Sequence, residues 1–232
     1  MSRPLRQAPG GVVYHVLNRA NARANIFVRA GDYAAFEKVL AQTLARTPLE
    51  LFCYSIMPNH WHLLLRPHKD GQLSDFMRWL TLTHTQRYHA AHQTSGSGHL
   101  YQGRFKSFPV QTDEHFLAVA RYVERNALRA KLVERAEHWR WCSLWRREHE
   151  QTEGLLSAWP VDAPPGWLAL VNRAQSAAEE EALRRCVNKG RPYGSEQFVA
   201  RLSRALGLAS TLREPGRPSK RAKRDVRTRN DS

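Results

Sequence analysis

The sequence predicts an α+β fold, an antiparallel sheet with helices on one face, followed by a small helical region and a disordered basic tail. Three observations carry that expectation. Strand-like and helix-like apolar patterns follow one another in the order β-α-β-β-α-β-α. The two middle strands are separated by Pro58 and Asn59 alone, which fits an antiparallel hairpin. After Trp145 the texture changes, and the proline-rich stretch 160–166 marks a boundary before two further helices.

Each element has its own local reason. Gly11 to Arg19 is β-branched and partly alternating, so it reads as a strand. Asp32 leads a helical pattern with Phe36, Val39, Leu40 and Leu44 at helical spacings, ended by Pro48. Leu49 to Met57 reads as the second strand and residues 60–67 as the third. Ser74 is the expected N-cap of the next helix, with Phe76, Leu80, Thr83 and Arg87 on one face. Thr94 to Gly98 reads as a flexible loop. Leu100 to Val110 alternates basic and aromatic residues, predicting a strand with Arg104 and Lys106 on one face and Phe105 on the other. Thr112 or Asp113 then caps a helix running to about Ala130, whose buried face is Phe116, Val119, Ala120, Val123 and Ala127. A capping box at Ser176 to Glu179 opens a helix ending near Gly190, and Ser195 opens another striped by Phe198, Val199, Leu202 and Leu206. The expected division is 8–147 for the main domain, 160–210 for the helical region and 211–232 for the tail.

Charge narrows the class of partner. The 232 residues carry 36 Lys plus Arg against 21 Asp plus Glu, a net +15, with a pI near 10.4. From Thr211 onward eight basic residues face three acidic ones, so the tail holds +5 of that charge. Arginine dominates, and its planar fork suits phosphates and stacking on bases, so nucleic acid is the expected partner. No apolar run approaches the roughly 20 residues of a membrane span, and the amino terminus has no apolar core like a secretion signal. Cys53, Cys142 and Cys186 are odd in number and far apart, so neither a disulfide framework nor a thiolate zinc site is expected. A cytoplasmic, nucleoid-associated protein fits best.

The chemistry is concentrated in Ser55 to Leu65, Ser-Ile-Met-Pro-Asn-His-Trp-His-Leu-Leu-Leu. On a strand, His60 and His62 share one face while Trp61, Leu63 and Leu65 take the other. Their backbones are then roughly 7 Å apart, so both imidazoles can converge on one ion. Tyr122 and Asn126, four apart at the flank of the helical stripe, offer a hydroxyl and a carbonyl oxygen of the kind hard cations accept. Two histidines on a half-exposed strand, and a tyrosine used only for packing, are the plain alternatives.

Four blocks in order resemble the single-tyrosine HUH transposases, and within them the REP-associated tyrosine transposases. They are Tyr14-His-Val-Leu-Asn-Arg19, the histidine strand of Met57 to Leu65, Tyr101-Gln-Gly-Arg-Phe-Lys-Ser107, and Tyr122-Val-Glu-Arg-Asn-Ala-Leu-Arg-Ala-Lys-Leu-Val133. The segments 190–198 and 216–220 resemble carboxy-terminal parts of the REP-associated branch. The resemblance implies a ferredoxin-like sheet, His60 and His62 as the HUH pair, Tyr122 as nucleophile and Asn126 as third metal ligand. Ala127 departs from the family, where proline usually follows the asparagine. The implied activity is a metal-dependent single-stranded DNA endonuclease and strand transferase acting on hairpin DNA through a 5′-phosphotyrosine. Mg²⁺ or Mn²⁺ is the expected ion, since mixed nitrogen and oxygen ligands with phosphate favour Mn²⁺ and tolerate Mg²⁺.

Arg19, Arg104, Lys106, Arg129, Arg217, Lys220 and Arg221 are the expected DNA contacts. For Arg104 and Lys106 a solvated basic face remains the alternative, and for the tail a solubilising extension. The 160–210 helices read as either a DNA-reading module or a brace. Mobile-element relatives work as dimers that exchange the tyrosine helix and the REP-associated branch as monomers, so monomer and homodimer both stay open. A non-catalytic repressor or architectural protein on the same fold is the rival function. A water-using metal nuclease is a third, without a carboxylate cluster to support it.

Overall fold

The computed structural model describes residues 8–213. Of the expected tail 211–232, residues 214–232, with the expected contacts Arg217, Lys220 and Arg221, lie outside the described residues, while Thr211 and Leu212 belong to a short 3-10 turn. Strands β1 (Val13–Arg19), β2 (Glu50–Met57), β3 (His60–Arg66) and β4 (Lys106–Val110) form a sheet of order β2-β3-β1-β4. All neighbours are antiparallel. Helix α1 (Ala30–Arg46) carries the chain from β1 to β2 with β3 between them, and α2 (Gln72–His92) from β3 to β4 with β1 between them. This split β-α-β arrangement is the expected ferredoxin-like topology.

Strand alternation sorts the side chains into two cores. Tyr14, Val16, Trp61, Leu63 and Leu65 pack under α1 and α2 against Phe36, Val39, Leu40, Phe76, Met77 and Leu80. These two helices are the layer expected on one face. The opposite face carries Val13, Leu64, Phe108 and Val110 and is covered by α3 (Glu114–Glu124), through Phe116, Val119, Ala120 and Val123. The chain continues through α4 (Asn126–Arg129), α5 (Ser143–Glu148), α6 (Trp167–Asn172), α7 (Ala177–Lys189) and α8 (Glu196–Ala205). α7 adds Leu183 and Cys186 to the second core. The capping box of Ser176 and Glu179 opens α7, and Gly190, at φ 70°, closes it.

Three local expectations are corrected. The stretch Leu100 to Val110 is a strand only from Lys106; before it, Tyr101 makes a single bridge to Ala20. Its ring turns into the α1/α2 core and bonds there to Trp61 and His84, which pulls the chain off the line of β1. α2 begins at Gln72 after a left-handed Gly71, so Ser74 lies inside its first turn instead of capping it. The helix from Asp113 is interrupted at Arg125, so Asn126 opens the separate short turn α4. The interruption falls beside buried Glu124, which is tied to Ser143, Arg147 and the Trp167 indole.

Later chain segments cover both outer strands. Along β2, the Ile56 N–H donates to Trp141 and the Ser157 N–H to Leu51, at 2.9 and 2.8 Å. Along β4, the Tyr193 N–H donates to Pro109 and the Gln111 N–H to Tyr193. Unpaired strand edges invite pairing with other chains, so this covering bears on assembly. Among the described residues no helix is long and apolar enough to cross a membrane.

Candidate functional site

The register of β1 against β3 builds the site. Arg19 pairs with His60, Leu17 with His62 and His15 with Leu64, so His15, Arg19, His60 and His62 share the face that α3 covers. The hairpin tip is fixed from behind. The Pro58 carbonyl accepts from the Ile26 and Phe27 N–H groups, and the Asn59 carbonyl from that of Ala20. On the opposite face the Trp61 indole donates to the Tyr101 hydroxyl at 3.0 Å, and that hydroxyl bonds His84 Nδ1 at 2.7 Å. A phenol has one proton, so Tyr101 donates to a neutral His84. Burial holds His84 in that neutral form, lowering its pKa to about 4.

Hydrogen bonds fix the tautomer of His60 and engage Nδ1 of His62. His60 Nδ1 lies 2.6 Å from Asn59 Oδ1, and Asn59 Nδ2 donates to the Arg23 carbonyl. That leaves Asn59 Oδ1 as an acceptor, so His60 carries its proton on Nδ1 and presents a lone pair at Nε2. His62 Nδ1 lies 2.9 Å from His15 Nε2, while His62 Nε2 is buried without a hydrogen-bond partner. If His62 donates from Nδ1, its Nε2 lone pair is free as well. The two rings are 5.0 Å apart. Imidazoles sharing one ion at nitrogen–metal bonds of about 2.1 Å place their centroids at a similar separation.

Electrostatics favour neutral imidazoles here. Burial, with Arg19 and Arg129 nearby, lowers the His60 pKa to about 3. Burial and the neighbouring His60, His15, Arg129 and Arg19 push His62 well down. Burial alone takes His15 to about 3. Metals bind the neutral imidazole, so the cluster is held in the form a cation requires.

α3 and α4 bring the second half of the site over this face. The Tyr122 ring stands edge-on to His62 at 5.8 Å and to His15 at 6.1 Å. Asn126 is next to it, one turn on. Both are more buried than a flank position suggests, with Tyr122 6% and Asn126 2% exposed. The cover is Arg129, whose guanidinium lies 4.4 Å from the Tyr122 ring centroid and donates to the Asn126 Oδ1 at 2.8 Å and the Tyr122 hydroxyl at 3.3 Å. Asn126 Nδ2 is buried without a partner. With His62 donating from Nδ1, His60, His62 and Asn126 offer two unprotonated nitrogens and one amide oxygen, a donor set that fits Mg²⁺ or Mn²⁺.

The other expected contacts spread outward. Lys106 pairs with Leu17, which places it on the same sheet face at the β4 end, and it is exposed. Arg104 is exposed in the loop before β4, not on the strand. Two residues were given no role from sequence. His15 is visible in the sequence only inside the first block of the resemblance, and Asn59 as a turn residue and a member of the second block. A separate grouping, Asp113, Glu114 and His115, has ligand atoms within 4.8 Å of one another. Its geometry is that of a helix start, because Asp113 Oδ1 accepts from the His115 N–H and bonds its Nδ1. It lies at the far end of α3 from Tyr122.

The family model described as "Transposase IS200 like" matches residues 10–126. That span contains the whole sheet, both strand histidines, Tyr122 and Asn126. Among solved structures, that of a REP-associated tyrosine transposase bound to a REP hairpin is 17% identical with a TM-score of 0.53, covering 76% of this chain and all of that one. At such identity the likeness speaks for the fold alone. A putative transposase from Deinococcus radiodurans R1 is also 17% identical, covering 65% of this chain and 98% of that one, but its TM-score of 0.38 carries no argument. A search of curated proteins found no match.

Proposed function

Because the chain belongs to the family of IS200-like transposases, we propose that it cuts and rejoins single-stranded DNA beside a hairpin, with Tyr122 as nucleophile. The observation that carries this reading is the Tyr122 phenol packed over His62 and His15, with Asn126 and Arg129 on the same turn of chain. His60, His62 and Asn126 would hold a divalent cation, Mg²⁺ or Mn²⁺. Bound there, such an ion would supply polarisation of the scissile phosphate and stabilisation of the charge that develops on its oxygens.

The chain's own groups do the rest. Asn59 and His15 orient the two imidazoles through their Nδ1 atoms. The Tyr122 oxygen attacks phosphorus and gives up its proton, the bond to the 3′ oxygen breaks, and that oxygen takes up a proton. The product is a 5′-phosphotyrosine and a free 3′ hydroxyl. One phosphodiester replaces another, so the reverse attack by a 3′ hydroxyl rejoins strands without ATP. Hairpin DNA is proposed as substrate from the net charge of +15 and from the hairpin held by the similar solved protein. Arg19 and Lys106, on the site's face, and Arg104 beside it are proposed to track the backbone. We assign catalysis to residues 8–147, bracing to 160–210 and an arm on DNA to 211–232, in a cytoplasmic protein associated with the nucleoid.

A labelled single-stranded hairpin with a flanking strand, incubated with the protein and Mn²⁺ and run on a denaturing gel, tests the reading. The native chain is expected to give a covalent protein–DNA band. Tyr122→Phe is expected to reduce that band and the cleaved product to background while leaving hairpin affinity within about twofold, since only a hydroxyl is lost. Cleavage persisting in Tyr122→Phe removes the nucleophile assignment. Binding without cleavage by the native chain, indifferent to His60→Ala, would make it the repressor or architectural protein instead.

A further inference from the structure

We propose that Arg129 is a latch on the unloaded site. It holds Tyr122 and Asn126 in place until a divalent cation and the scissile phosphate together displace it, so that cation and DNA load cooperatively. This rests on the reading of His60, His62 and Asn126 as ligands and Tyr122 as nucleophile.

One guanidinium makes every contact of the latch. It stacks 4.4 Å from the Tyr122 centroid, donates to the phenol oxygen at 3.3 Å and donates to Asn126 Oδ1 at 2.8 Å. A carboxamide has one oxygen, and guanidinium can only donate. The oxygen that a hard cation requires is therefore already engaged by a cation, while Asn126 Nδ2 is left buried and unpartnered. A dication arriving alone must share that oxygen with Arg129 or take it, and in either case remain beside its positive charge.

The charge around the site adds to this. The three proposed ligands carry no negative charge, and Arg19, paired with His60 across β1 and β3, adds a second guanidinium to that of Arg129 on Asn126. Among the described residues no carboxylate bonds to His15, His60, His62, Asn126 or Arg129. A cation site flanked by two guanidiniums and no anion binds weakly by itself. A phosphodiester supplies what is missing, because its oxygens can ligate the ion and accept both prongs of Arg129. Moving Arg129 from the amide oxygen to phosphate frees Asn126 for the ion and Tyr122 for attack. Arg129 is thus a positioning residue in the unloaded protein and a phosphate contact in the loaded one.

The test is Mn²⁺ binding to the full chain, read from the electron paramagnetic resonance of the free ion, with and without an uncleavable single-stranded hairpin. The native chain is expected to bind Mn²⁺ weakly alone and more tightly with DNA. Arg129→Ala and Arg129→Gln are expected to bind Mn²⁺ about tenfold more tightly without DNA, as removal of one positive charge near a dication implies. DNA should then add less to their affinity than to the native chain's. A residue needed only for packing would weaken ion binding when removed, so the sign of the change separates the two roles. His60→Ala is measured alongside to place the ion. If His60→Ala loses Mn²⁺ but neither Arg129 variant gains it, the latch is wrong and the metal site stands. If native affinity is the same with and without DNA, cooperative loading is wrong. If His60→Ala and His62→Ala leave binding untouched, the site reading fails, and the latch fails with it.

Discussion

At the scale of the residue, the site depends on two groups that present His60 and His62. Asn59 fixes His60 through Nδ1, and its own amide is fixed by the Arg23 carbonyl. His15 is 0% exposed, packs against Phe108 at 4.8 Å and meets His62 through its Nε2. Only one orientation of that bond leaves a lone pair on His62 Nε2, the orientation in which His15 accepts. His15→Phe fills the space but removes the acceptor. It is expected to cost roughly 10–100-fold in Mn²⁺ affinity with the hairpin affinity unchanged, the usual penalty for losing a partner behind a ligand. Calorimetric titration with Mn²⁺ and a gel-shift titration with DNA read the two separately, and an unchanged Mn²⁺ affinity would leave His15 a packing residue. The sequence made His60 and His62 legible because the period of a strand puts alternate residues on one face. His15 was not legible that way, since its place against His62 depends on how β1 and β3 register across a sequence separation of 47. The same gap hid Arg129. As a residue three beyond Asn126 it read as one more DNA contact, and only the packed turn shows it bonded to two proposed site residues.

At the scale of the element, β3 must stay put for the imidazoles to keep their geometry, and its far side shows how. The Trp61 indole, the Tyr101 hydroxyl and His84 Nδ1 form a chain of two hydrogen bonds within the α1/α2 core, where Trp61 is 0% and His84 3% exposed. Phe27 stacks on His84 at 5.4 Å and Phe36 stands edge-on at 5.0 Å, so apolar rings surround the imidazole that the phenol serves. Tyr101→Phe leaves a buried donor and a buried acceptor unpaired, a loss of about 3 kcal/mol. For a chain of this length that lowers the thermal midpoint by roughly 6–12 °C, measurable by calorimetry. A shift below about 2 °C would mean that the network contributes little. This element also shows where sequence reasoning stopped. Tyr101 alternates correctly with Gly103 and Phe105, so the run from Leu100 looks like strand throughout. The ring's bond to an indole on another strand is a tertiary fact that no local period records. By contrast the hairpin at Pro58 and Asn59 and the capping box of α7 were legible, because each is written in adjacent residues.

At the scale of the whole molecule, the arrangement of the sheet edges and of α3 bears on assembly. Dimers that exchange the tyrosine helix need that helix to leave its own sheet, and this chain holds it from the outer side. Arg121 donates to the carbonyls of Arg173 and Ala174, and Arg125 to those of Val171 and Asn172. The Trp167 indole closes on Glu124, which is 0% exposed and paired with Arg147 at 2.5 Å. Freeing α3 would strip this buried carboxylate of its partners, a cost of about 3–5 kcal/mol before any apolar surface is counted. The outer edges of β2 and β4 are occupied by segments of the same chain, so the usual route to a sheet continued across two copies is closed as well. Tyr122 and both histidines therefore meet within one chain. Sequence left monomer and dimer equal because edge covering by residues 141–157 and 193 depends on where distant segments land. We predict that two defective chains do not repair each other. Mixing Tyr122→Phe with His60→Ala should restore no covalent adduct at any ratio, whereas exchange of the tyrosine helix would rebuild one intact site in each mixed dimer. Adduct formed per chain should likewise stay constant across a hundredfold range of protein concentration with DNA in excess. Recovery in the mixture would show that α3 leaves its own sheet, despite the bonds that hold it there.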